Sequence, residues 1–385
     1  MAAGQPVARD FIYLDHNATT PVHPDALEAM LPFLRGSYGN PSSTHALGRV
    51  AAEAVATARA QVAGLLGAQP DEIVFTSGGT EANNLAIRGV ASRAGADRRR
   101  IVTSAVEHPA TVQPLDALRE EGWQVTIVPV AASGHLAPAD VEDALGRDVA
   151  LVTVMLAQNE TGALQPVREV AAASRRVGAV VHTDAAQAVG KIAVDVTELG
   201  VDLLSLAGHK CYAPKGVGAL YVRAGTDIAP VLRGAGQEHG LRPGTENVAG
   251  VVGLGAACAA LRTDLAAEAV RLWNLRDDLW TRLSAAVPGI VRLTPTRDAV
   301  PNTLLVVFPR IAGWDLLDRA PRVAAATGSA CHSASHAASA AVLAMGLDPL
   351  ASAGTVRLSL GRETTAEQVE EAAAALATAF GELTR

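Results

Sequence analysis

From about Asp71 to Val222 the chain repeats one unit: a short apolar run, a polar or Gly-rich turn, then a longer stretch with helical periodicity. Seven such runs, EIVFTS, RRIVTSAV, QVTIVPV, VALVTVML, AVVHTD, VDLLSLA and GALYV, read as strands. Strands alternating with helices predict an α/β fold, a mainly parallel seven-stranded sheet with helices on both faces. In open sheets of this kind ligands gather at the carboxyl ends of the strands. The residues that close the runs therefore matter most: Ser77-Gly78-Gly79-Thr80, Glu107-His108, Asn159-Glu160-Thr161, Asp184 with Gln187, and His209-Lys210.

After about Arg262 the rhythm changes. Long Ala/Leu/Arg helices run from roughly Thr263 to Val287, strands lie near Asn302–Phe308 and Thr355–Leu360, and a helix closes the chain at Ala366–Phe380. This predicts a large α/β domain over 21–261 and a smaller α+β domain made of 1–20 and 262–385. The N-terminal arm is expected to pack on the smaller one. No internal repeat is visible, and the Ala-rich stretches suit closely packed helices.

Composition narrows the function. The 385 residues carry 32 Lys+Arg against 39 Asp+Glu, a formal charge of −7 with no sustained basic stripe, which argues against direct nucleic-acid binding. Three scattered cysteines (Cys211, Cys258, Cys331) and no evident secretory leader fit a reducing, cytoplasmic setting. The longest apolar run, Val248–Leu261, is too short to cross a bilayer, so no membrane span is expected. Cys331, His332 and His336 have ligand-type side chains, but no second Cys/His pair completes a four-ligand zinc site, so no metal is expected.

Taken singly, the strand-end residues have plain structural readings. Gly78-Gly79 can be a tight turn with Thr80 as a cap, Asp184 can open a helix, and Lys210 can be a surface charge. The turn is neither a GxGxxG fingerprint nor a P-loop, and Gly190-Lys191 lacks the upstream glycine and the Ser/Thr of the latter. Their order changes the reading. A Gly-rich turn opening a helix suits phosphate, a buried strand-end carboxylate needs a cationic partner such as a pyridinium, and a desolvated lysine can form an imine. Together these are the three requirements of pyridoxal phosphate. Cys258 reads as a buried hydrophobe in an apolar helix, Cys211 is ambiguous, and Cys331 lies in a Gly/Ser/Ala/His segment where a thiol is accessible.

The motifs YLDHNATTP, NPSSTHALGR, FTSGGTEANNLAIRG, VEHPA, NETGALQPV, HTDAAQAVGK, GHKCYAPKGVG, GAGQEHGLRPGTENV, GSACHSASHAASAAVLAMG and VRLSLGRETT occur in this order from about residue 12 to 375. Together they resemble the NifS/IscS-like cysteine desulfurases, class V aminotransferase relatives with the type I fold of pyridoxal-phosphate enzymes. That resemblance implies removal of sulfur from L-cysteine, with L-alanine and a persulfide on Cys331 as products and a sulfur-acceptor protein as partner, either an iron–sulfur scaffold or a thiolation protein. It implies Lys210 as the imine lysine, Asp184 at the pyridine nitrogen, Gln187 at the ring hydroxyl and His108 stacked on the ring and moving protons. Gly79, Thr80 and His209 match the phosphate site, and Thr245 matches a residue reaching the phosphate of a neighbouring subunit, hence a homodimer with shared sites. Asn159 and Arg357 match the pair holding the substrate carboxylate. Ala207 stands where many relatives have a phosphate-binding Ser, Ala338 where Pro is common, and His332 replaces a small polar residue. Selenocysteine lyase and class V aminotransferase are the alternative activities.

Overall fold

The computed structural model describes residues 11–327 and 339–385. The seven apolar runs form one sheet in the order Ile73–Thr76, Gly218–Val222, Leu203–Ala207, Val180–Asp184, Val149–Thr153, Arg100–Ser104 and Gln124–Val128. Only Gly218–Val222 runs against its neighbours; the other six are parallel. Val149–Thr153 and Leu203–Ala207 inside the sheet are buried along their whole length, which is why they read as continuous apolar runs rather than alternating ones. One core fills one side of this sheet, where Val55, Val62 and Leu66 of the Ala46–Leu66 helix meet Val152, Val181 and Leu204; a second lies under the Gly79–Ala91 helix through Leu85, Ile87 and Val90.

A separate core gathers Leu304, Val306, Val356 and Leu358 from a three-stranded antiparallel sheet (Thr355–Ser359, Thr303–Val307, Val291–Arg292) with Leu376 and Phe380 of the Ala366–Leu383 helix. Ile12 and Leu14 of the N-terminal arm join it, and Ile12–Tyr13 pairs in parallel with Val323–Ala324.

The apolar run at Val248 and the charged helix after Arg262 are one continuous 39-residue helix, Val248–Ala286. Its first half, Val251 to Leu261, belongs to the core on the large sheet; Leu272, Leu279 and Leu283 belong to the small one. The change of core thus falls within a helix, where composition alone suggested two elements, and a boundary drawn at 261/262 lies inside it. This helix is long and apolar enough by length and composition to cross a membrane, yet half of its most apolar window is buried inside the fold. It packs closely on Ala46–Leu66: a Cβ on Gly255 would lie 2.5 Å from the Ala58 Cα.

Candidate active site

At the carboxyl ends of the parallel strands lies a cavity of about 680 Å³, within the range of small-molecule sites. Gly79, Thr80, His108, Asn159, Asp184, Gln187, His209, Lys210 and Arg357, all named from the sequence, line it. Thr245 does not; it is exposed, outside the cavity of its own chain. Cys331 lies outside the described residues, as do His332 and Ala338.

The strand Ile73–Thr76 ends in a turn at Gly78, whose φ of +152° with ψ of −177° belongs to a region open essentially to glycine. The Gly79–Ala91 helix begins there with no side-chain cap. Its first-turn amides and the positive end of its dipole are therefore available to an anion. Ala207 adds only a methyl to this end of the cavity, 3.1 Å from where a Cβ on Gly79 would sit. His209 sits on the short turn Gly208–Lys210 that follows the strand Leu203–Ala207, and its Nδ1 is 3.2 Å from Thr19 Oγ1. Burial and the Lys210 charge push its pKa down to about 4, so it faces the cavity neutral.

Asp184 ends the neighbouring strand almost wholly buried, accepting from Asn83 Nδ2 (2.7 Å) and from the amide of Ala186 (2.9 Å). Behind it His182 is sandwiched between Thr153 Oγ1 (2.8 Å) and Ser205 Oγ (2.9 Å) of the two flanking strands, and burial lowers its pKa to about 4. His108 caps the Pro109–Glu120 helix: its Nδ1 accepts from the amide of Ala110 at 3.1 Å, leaving the proton of the neutral ring on Nε2. Burial first, then the Lys210 charge, lowers the His108 pKa, so the neutral ring is the resting form.

Arg357, from the small sheet, reaches the same cavity. Its Nη1 donates to the carbonyl of Asn159 (3.0 Å), its Nη2 to Asp15 Oδ1 (2.7 Å), and its buried Nε has no partner among the described residues. Asn159 thus meets Arg357 through its main chain.

Several cavity neighbours were not assigned roles from sequence. Glu107, beside His108, accepts from Ser104 Oγ (2.5 Å) and from the amide of Met155 (2.9 Å), while its Oε2 is buried without a partner among the described residues. Burial, reinforced by Asp184, raises its pKa to about 8 against these hydrogen bonds. Glu160 is pushed up to about 7 by burial and accepts from Ser339 Oγ at 2.6 Å. Their strand-end positions were the only signal available. Cys211 and Cys258 are both buried, and their mutual hydrogen bond and burial raise the Cys258 pKa well above the ordinary thiol value.

The donor set fits pyridoxal phosphate. An uncapped helix start would answer the phosphate, a buried carboxylate the ring nitrogen, the second N–H of Gln187 Nε2 the ring hydroxyl, and Lys210 the aldehyde. Comparison with known proteins agrees. Residues 12–371 match the Aminotransferase class-V family. The cysteine desulfurase IscS of Dictyoglomus turgidum is 41% identical over 360 residues, covering 93% of this chain and 91% of that one. A cysteine desulfurase of Nostoc sp. is 44% identical over 361 residues, covering 93% and 90%. A solved NifS-like protein superimposes with a TM-score of 0.90 at 35% identity, covering 97% of this chain and 99% of that one. The chain belongs to the Aminotransferase class-V family and, within it, to the pyridoxal-phosphate-dependent cysteine desulfurases.

Proposed function

We propose that this enzyme removes the sulfur of L-cysteine, releasing L-alanine and leaving a persulfide on Cys331 that a sulfur-acceptor protein then takes. Pyridoxal phosphate, when bound, supplies the electron sink that labilises the bonds around the substrate's α-carbon. Lys210 tethers it, and Asp184 keeps its ring nitrogen charged. Gly79, Thr80 and His209 hold its phosphate. Neutral His108 would stack on the ring; with its Nδ1 accepting from the Ala110 amide and its proton on Nε2, it takes up a further proton only by releasing that amide. Arg357, fixed by Asp15 and the Asn159 carbonyl, receives the substrate carboxylate as a planar fork. The Cys331 thiolate attacks the substrate sulfur: a new S–S bond forms, the substrate's C–S bond breaks, and the carbon takes up a proton.

The observation that carries this reading is where the Cys331 segment begins and ends. Four residues before Cys331, Thr327 follows Ala326, which pairs with the backbone of Arg357 itself (Arg357 N to Ala326 O, 2.7 Å). Eight residues after it, Ser339 stands in the cavity wall, bonded to Glu160. Burial of Cys211 and Cys258 leaves neither suited to attack. Exposed Thr245 is read as reaching the phosphate of a second subunit, giving a homodimer with shared sites in the cytoplasm, and the acceptor as an iron–sulfur scaffold or thiolation protein.

The test is Cys331→Ala. Alanine formation from cysteine should fall by about 10²-fold or more while the bound cofactor's absorbance is unchanged. Alanine released at the parental rate would remove Cys331 from the mechanism.

A further inference from the structure

Lys191 is buried, 6% exposed, yet has no part in the chemistry above. Its Nζ lies 2.5 Å from Gln187 Oε1 and 2.9 Å from Asn17 Oδ1, both neutral amide oxygens, and no carboxylate pairs with it among the described residues. Burying an amine against amide oxygens alone, with no counter-charge, is costly. Burial, helped by the charges of Lys210 and Arg357, lowers its pKa well below the usual lysine value. In either protonation state Nζ has the two N–H groups that these acceptors take.

Those two bonds decide the orientation of a cofactor contact. With Oε1 of Gln187 claimed by Lys191, the Gln187 Nε2 donates one proton to the carbonyl of Asn17 (2.9 Å) and keeps a second. Flipping the amide would set its NH2 against the Nζ donors and its oxygen against a carbonyl, so Lys191 selects which end of Gln187 can serve the cavity. The second bond runs toward the substrate clamp. Asn17 Oδ1 also accepts from Asn302 Nδ2 (3.0 Å), and Asn17 Nδ2 donates to Thr303 Oγ1 (2.8 Å) and to the Asn159 carbonyl (3.2 Å), the same oxygen that receives Arg357. All four hydrogen-bonding positions of the Asn17 amide are filled. A continuous chain of bonds thus links Lys191 to Gln187 on one side and to Arg357 on the other, joining the large sheet, the N-terminal arm and the small sheet.

We propose that Lys191 is a positioning residue that, through Gln187 and Asn17, orients the amide facing the cofactor's ring hydroxyl and braces the guanidinium that takes the substrate carboxylate. The proposal rests on the roles given to Gln187 and Arg357 above, so the experiment separates the two. Lys191→Met, Gln187→Met and the double variant are purified with cofactor, and the visible absorbance is titrated with pH. Loss of a hydrogen bond to the ring oxygen should raise the titration midpoint by about one pH unit in each single variant. The double variant should shift no further than Q187M alone, because both act on one contact. A merely structural lysine would lower the melting temperature and leave the midpoint in place. An unshifted Q187M refutes the role of Gln187 itself; a shifted Q187M with K191M at the parental midpoint overturns the proposal alone. Asn17→Ser tests the other branch and decides the matter should K191M not fold: KM for cysteine should rise about fivefold, the value of one hydrogen bond, with kcat changed less. An unchanged KM in N17S overturns the proposal.

Discussion

Arg357→Lys isolates the geometry of the substrate clamp from its charge. A guanidinium carries five N–H donors. One goes to the Asn159 carbonyl and one to Asp15, leaving three, among them the buried Nε–H that has no partner among the described residues. A carboxylate can take two of these side by side. A lysine offers three donors; two would still be drawn to Asn159 and Asp15, so the substrate keeps one. The charge stays, and Asp15 is not stranded, which makes this variant more informative than alanine. Losing one hydrogen bond to a charged group costs about 1.5–3 kcal/mol, roughly a 10- to 150-fold drop in kcat/KM for cysteine. The assay is alanine formation across cysteine concentrations, beside equilibrium binding of L-alanine followed by the cofactor spectrum. Both should weaken. A folded, cofactor-loaded R357K with kcat/KM within about twofold of the parent would show that the carboxylate is held elsewhere.

Two further substitutions follow from the site's charges. Glu107 is held protonated by burial, so its folded pKa of about 8 exceeds the ordinary 4.5; the stability tied to its proton is present below pH 4.5 and lost as pH rises through 8. Glu107→Gln should abolish that loss, gaining on the parent from pH 5 to 9 by at most about 5 kcal/mol in denaturant unfolding; parallel pH curves would refute a protonated Glu107. Asp184→Asn keeps the shape, accepts from the Ala186 amide through Oδ1 and can donate to Asn83 once that amide turns its unpartnered Oδ1 inward, but it cannot hold a ring nitrogen charged; alanine formation should drop by about 10²-fold with cofactor content retained, whereas the parental rate would exclude the assigned role.

What the sequence made legible follows physical lines. The seven strands of the large sheet were readable because strands such as Val149–Thr153 and Leu203–Ala207 are buried end to end and contain little but apolar residues. The pairs Ile12–Tyr13, Val291–Arg292 and Val323–Ala324 are two residues long, too short to show any periodicity. Val248–Ala286 was read as two pieces because its halves serve different cores and so differ in composition. Asp184, Lys210 and Arg357 announced themselves by residue type, strand-end position or motif. Lys191 did not: beside Gly190 it served only to reject a P-loop, and its role depends on Asn17, 174 positions away. His182 was equally silent and Glu107 offered only its strand-end position, since their meaning lies in the hydroxyls and buried atoms around them.

The central claim is that Lys210 and Cys331 serve one reaction. Holoenzyme mixed with one equivalent of L-cysteine, quenched within a single turnover and digested, should show one added sulfur on the Cys331 peptide, matched mole for mole by L-alanine and absent in Lys210→Ala. Alanine formed in full with the Cys331 peptide unmodified, or with the added sulfur on Cys211, would contradict the account.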